Sequence, residues 1–212
     1  MSAIETDEDR LIDAKATPSK FAHIVLRTTR YDEMREFYKT LLGGRSAFAN
    51  EILDFIRYDD EHHRVVIMNL TSAPVPAPGS VGTDHFAFTY DSLGQLLGTY
   101  ERMKASGVTP VWTVNHGITT SIYYNDPDGN MIETQIDNMD NDEADAFMRG
   151  PYFAVNPIGV DFDPELLIER YRRGDPIHEL IQQGSAPWAR DTIPAPLPPL
   201  PPYDRFGDKL GG

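Results

Sequence analysis

The sequence predicts an α+β fold: two paired βαβββ modules whose strands form a curved mixed sheet around a cavity, with helices outside and a C-terminal helical and proline-rich extension. Three observations carry this. Short segments alternate apolar and polar residues, two longer ones place apolar residues at helical spacing, and the order strand, helix, three strands occurs twice. The repeat is one of pattern rather than identity, and its two opening strands carry His23 and His85, 62 positions apart. Neither module can bury a sheet face alone, so the two must lie side by side.

The elements follow in order. FAHIVLRTT opens module one as a strand, and YDEMREFYKTLLGG is a helix with Met34, Phe37, Tyr38, Leu41 and Leu42 on one face and a glycine pair as its stop. RSAFANE, DFIRYD and HRVVIMNL read as strands. TSAPVPAPGSVGTD is a connector rich in Pro and Gly. Module two repeats the order: DHFAFTY, the helix SLGQLLGTYERMKASG, then VTPVWTVNHG, TTSIYYND and NMIETQIDN, with Pro127 to Gly129 as the tight turn before the last strand. The organisation is an arm over 1–19, a domain over 20–138 (modules about 20–72 and 83–138), and an extension over 139–212. In that extension 138–160 reads as irregular, and 164–173 and 176–183 read as short helices opened by Pro. The proline-rich tail reads as an extended strap.

Composition excludes several classes. A formal net charge of −14 argues against nucleic acid and anionic membranes, which need basic patches. No apolar run approaches the ~18 residues of a membrane span. With no cysteine, disulfides and thiolate ligands are out. The acidic start MSAIETDEDR lacks the apolar core of an export signal, so a cytoplasmic location is expected.

Strand alternation places His23 on a face with Phe21 and Val25, His85 with Ala87 and Thr89, Tyr123 with Thr119 and Ser121, and Glu133 with Met131 and Gln135. Phe86, Phe88 and Tyr90 point to the helix side. His23, His85 and Glu133 can therefore share the concave face. Two imidazoles and a carboxylate are the facial triad of non-heme ferrous iron, which leaves positions open for substrate and dioxygen. A lone histidine is more often a core residue. Two at repeat-equivalent positions, with a glutamate on the matching strand, favour a metal centre of the oxygenase type. His116 precedes the Tyr123 strand and is a candidate substrate contact. His62 is expected in solvent, His178 as structural, and the acidic run 137–145 as a solvated linker. Phe21, Trp112 and Phe153 are candidate pocket walls.

The stretch HGITTSIYYNDPDGNMIE, residues 116–133, resembles the final strands of the vicinal oxygen chelate superfamily, where such a turn precedes a metal-binding glutamate. The resemblance spans about 20–138 and is strongest to the type I extradiol dioxygenases. It implies Fe(2+), or Mn(2+), held by His23, His85 and Glu133, and His63 of the His62–His63 pair as acid/base group. It also implies Tyr123 as a hydrogen bonder of substrate, a small aromatic diol and dioxygen as partners, and a homodimer. Larger members carry four modules where this chain has two, and residues after 140 have no counterpart in the core motif. Two alternatives share the fold. A glyoxalase-like isomerase or lyase would place a fourth ligand on the last strand of module one, where Met68 and Asn69 stand. A non-catalytic binding protein would not need the triad.

Overall fold

A computed structural model of the protein describes residues 17–74 and 81–189. The arm up to residue 16, part of the connector and the proline-rich tail lie outside the described residues. Module one contains β1 (Ile24–Thr28), α1 (Tyr31–Leu42), β2 (Arg45–Ala49), β3 (Leu53–Arg57) and β4 (Val65–Asn69). Module two contains β5 (His85–Thr89), α2 (Leu93–Ala105), β6 (Trp112–Asn115), β7 (Thr119–Asn125) and β8 (Met131–Asp137). All ten elements fall where the periodicity places them.

The strands form two separate mixed sheets rather than one, ordered β1-β4-β3-β2 and β5-β8-β7-β6-β9 among the described residues, with β9 spanning Val160–Asp161. In each module the first strand pairs in parallel with the last. Edge strands β1 and β5 share no ladder, and side chains join the modules instead. Tyr38 stacks on Phe86 at 6.4 Å, and Tyr58 meets Phe88 edge-on at 5.9 Å.

Helix α1 forms because its apolar residues recur on one face, and it buries Met34, Phe37, Tyr38, Leu41 and Leu42. Replacing one of the fully buried ones with Ala would cost about 2–5 kcal/mol. Gly43 ends the helix in the left-handed conformation, at φ 60°. The last helical carbonyls would lack partners, and module two supplies them: Arg102 donates to Thr40 O and Leu41 O at 2.6 and 2.9 Å, and Tyr90 Oη to Leu41 O at 2.9 Å. A second lock forms at the DPDGN turn. The buried Asp126 carboxylate accepts from Asp128 N, Asn130 N and Asn130 Nδ2, and from Tyr38 Oη at 2.8 Å. The motif that carries the family resemblance thus pins the β7–β8 hairpin to the module-one helix.

Residues 138–160, expected to be irregular, form α3 (Asn141–Met148), α4 (Pro151–Val155) and the first half of β9. Asp140 starts α3 through a capping box: its side chain accepts from Glu143 N, and the Glu143 carboxylate accepts from Asp140 N. Pro at the first position opens α4. Helix α5 (Pro164–Arg173) matches expectation, and α6 (Ile177–Leu180) is shorter than expected. Phe162, Leu167, Ile168, Leu180 and Ala186 join the common core, so this part of the extension packs against the modules.

Candidate active site

One register row crosses the second sheet: Trp112 opposite Tyr123, Tyr123 opposite Glu133, and Glu133 opposite Ala87. Residues opposite one another share a face, and the Trp112 and Tyr123 rings stack at 4.8 Å. His85, two residues before Ala87, turns its ring edge-on to Tyr123, with centroids 5.4 Å apart. Its Nε2 lies 3.2 Å from Glu133 Oε2, while its Nδ1 lies 2.7 Å from the Asp84 carboxylate. Metal-binding histidines typically donate their second N–H to such a partner. An imidazole nitrogen and a carboxylate oxygen each about 2.1 Å from one divalent ion, at right angles, fall about 3 Å apart. The His85–Glu133 pair fits that spacing.

His116 sets the protons beside this pair. Its Nδ1 lies 2.5 Å from Ile158 O, and a carbonyl can only accept, so Nδ1 carries the hydrogen. In the neutral ring Nε2 is then an acceptor, and it faces Tyr123 Oη at 3.0 Å. Burial holds His116 below the ordinary imidazole value, against the Ile158 carbonyl and the Glu133 charge. Burial, and then the Glu133 charge, pushes the Tyr123 phenol well above its ordinary range. The phenol stays protonated and the imidazole neutral near pH 7.

His23 lies just before β1, exposed, with its ring 4.5 Å from that of His63. His63 also stacks on Phe55 at 4.6 Å. His62 is exposed as expected, and its Nδ1 lies 2.6 Å from His63 Nδ1 and its Nε2 3.2 Å from Glu61 Oε1. Burial, then the nearby His62 and His23, lowers the His63 pKa. Of the expected ligands, the structure brings His85 and Glu133 together and sets His23 beside His63. Among the described residues no group of three or more His, Cys, Asp or Glu is arranged to hold a metal ion.

The Glu133 face opens into a cavity of about 530 Å³. His116, Thr119, Tyr123 and Gln135 line its floor, and Met139, Ala144, Met148 and Phe153 come from the C-terminal segment. Phe153 is a wall as expected, but two other expectations need correction. Trp112 does not line this cavity: it packs beside Tyr123 and donates Nε1–H to Asp161 at 2.9 Å. Phe21 lines a separate cavity of about 210 Å³ with Tyr58 and Phe88. In the acidic run Asp140 caps α3 and Asp145 pairs with Arg149 at 2.6 Å, while Asp137 and Asp145 border the large cavity. Sequence reasoning missed Asp84, Glu61 and the Ile158 carbonyl. Asp84 had a local signal, a carboxylate adjacent to a candidate ligand, whereas the Ile158 contact spans 42 residues.

Register also relocates the glyoxalase-type fourth ligand position. Glu133 pairs with Ala87 as Val66 pairs with Val25, so the equivalent of Glu133 in module one is Val66, not Met68 or Asn69. Val66 is buried and apolar, so no fourth carboxylate stands there.

The paired modules, with a histidine–carboxylate pair on the second sheet, define a protein of the βαβββ class. The chain belongs to the glyoxalase/bleomycin resistance protein/dioxygenase superfamily, whose sequence model matches residues 20–134. It is similar to biphenyl-2,3-diol 1,2-dioxygenase 2 of Rhodococcus globerulus, with 45% identity over 84% of this chain and 93% of that protein. It is also similar to biphenyl-2,3-diol 1,2-dioxygenase 3 of the same organism, with 38% identity over 82% of this chain and 91% of that protein. Among solved structures, a glyoxalase/dioxygenase from Nostoc punctiforme has a TM-score of 0.47 and 20% identity, covering 60% of this chain and 99% of its own.

Proposed function

We propose that this protein is a metal-dependent extradiol dioxygenase that opens the ring of a catechol-type substrate with dioxygen. The observation that carries the reading is the His85 Nε2–Glu133 contact at 3.2 Å, beside a cavity that Glu133, Tyr123 and His116 line. The similarity to two biphenyl-2,3-diol dioxygenases supports it and makes biphenyl-2,3-diol the first substrate to test. In this reading 20–138 is the catalytic unit and 139–212 its extension. The protein is cytoplasmic and homodimeric, and no helix among the described residues is long and apolar enough to cross a membrane.

His23, His85 and Glu133 would hold the metal, a donor set that suits ferrous iron and also accepts manganese. When bound, iron supplies electrons to dioxygen and lowers the pKa of a coordinated hydroxyl. The side chains supply orientation and proton handling. Tyr123, fixed by Trp112, gives its own hydrogen to His116 Nε2 and accepts from a diol hydroxyl. His116 Nε2 is the acceptor behind it and takes the proton that the diol releases, relayed through the Tyr123 hydroxyl. His63, held neutral near pH 7 by burial and its histidine neighbours, receives and returns a proton on the module-one side.

Protein purified without oxygen should carry about one iron per chain. Given biphenyl-2,3-diol and air it should consume dioxygen and form a yellow ring-opened product. His85→Ala should lose the metal. Metal without oxygen uptake on any catechol would favour the isomerase reading, and tight ligand binding without metal would favour a sequestering protein.

A further inference from the structure

The segment after residue 138 carries no motif that the proposed chemistry uses, yet it forms the far wall of the cavity. Helix α3 buries none of its residues fully, so core packing does not explain its position. Two tight contacts hold it instead. Phe147 packs on Gly117, where a Cβ would stand 2.5 Å from the ring. Gly159, at φ 109°, lets its turn press on the end of β6, where a Cβ would stand 2.2 Å from Asn115 O. Asn156 braces that turn by donating Nδ2–H to Gly159 O and accepting from Gly159 N, both at 2.9 Å. Between these anchors α3 turns Asn141, Ala144, Asp145 and Met148 to the cavity; Ala144 and Met148, one helical turn apart, form its apolar strip, which Phe153 continues. The proton-handling groups His116 and Tyr123 line the same cavity. Apolar groups facing a polar reacting end mark a site for the unreactive part of the substrate.

We infer that α3 is the substituent subsite of this enzyme: Ala144 and Met148 select catechols by the size of the apolar group attached to the ring. The inference rests on the dioxygenase reading for its substrate class. The small Ala144 side chain leaves the room that a second ring needs, and the Met148 thioether adapts to its face.

The test compares biphenyl-2,3-diol with unsubstituted catechol on metal-loaded full-length protein, by anaerobic calorimetric titration and by oxygen uptake. Adding methylenes to a pocket of this kind changes discrimination about 10–200-fold. Ala144→Leu should weaken biphenyl-2,3-diol binding and kcat/KM by about tenfold or more, with catechol within about threefold of wild type. Ala146→Leu, at an exposed α3 position outside the cavity lining, should behave as wild type. Should Ala144→Leu melt early, Met148→Ala reads the same wall without overpacking and should weaken biphenyl-2,3-diol several-fold while sparing catechol. An unchanged ratio of the two ligands in a folded, active variant overturns the subsite and leaves the dioxygenase reading intact. Binding that discriminates as described, in a wild type that turns over neither ligand, overturns the dioxygenase reading and supports the subsite.

Discussion

Tyr123→Phe removes one oxygen atom and leaves the rest of the site in place. The Phe ring keeps the stack on Trp112 and the position opposite Glu133. What disappears is the hydroxyl 3.0 Å from His116 Nε2. The imidazole is tethered at Nδ1 by Ile158 O and cannot turn to find another donor. An unsatisfied buried acceptor costs about 1–3 kcal/mol. For a chain of this length that is about 2–4 °C of Tm per kcal/mol. If the hydroxyl also relays the substrate proton, the rate should fall much further, by about 10²–10⁴ in kcat. Each factor of ten is about 1.4 kcal/mol, so the kinetic loss exceeds the stability loss. The assay is initial-rate oxygen uptake with biphenyl-2,3-diol, beside metal content and a thermal melt. Metal content should match wild type, kcat should drop, and KM should move little. A variant whose Tm falls by a few degrees while kcat/KM stays within about threefold would refute the relay and leave Tyr123 as a packing residue.

Other perturbations test separate parts. His63→Ala should keep its metal and lose about 10²–10⁴ in turnover; full activity would remove His63 from the proton chemistry. Glu61 pairs with Lys20 at 2.5 Å, and that partner lowers its carboxyl from 4.5 to about 2. A depressed carboxylate stabilises the fold above its unfolded value and loses that contribution as pH falls through the folded one. The Tm of Glu61→Gln should therefore lie below wild type near pH 6 and converge with it toward pH 2, and curves that stay parallel through that window would exclude the linkage. Gly159→Ala meets both a left-handed φ and a backbone oxygen, so it should cost at least about 1–3 kcal/mol. It should also lower activity by displacing the Ile158 carbonyl from His116, which a melt and a rate measured together would detect.

The strands and helices of the two modules were legible because their signals are local. Phe86, Phe88 and Tyr90 read as helix-facing from alternation alone, and all three pack on the core. Residues 138–160 were misread although the capping pattern at Asp140 and Glu143 was present, because it stood within a run of acidic residues that resembles a solvated linker. The Met68 and Asn69 comparison failed for another reason. Alternation fixes which residues share a face, but hydrogen-bond register between strands decides which ones stand opposite, and register put Val66 at the Glu133 position.

Taken alone, the sequence determined the two-module pattern, the faces of His85, Tyr123 and Glu133, and the family to which they point. Each of these follows from periodicity or from residues close together in the chain. Only the tertiary structure decided that His85 meets Glu133, that Ile158 fixes the tautomer of His116, and that α3 walls the cavity. Those contacts join segments tens of residues apart, and their geometry is set by how the helices and sheets pack, which no local pattern encodes.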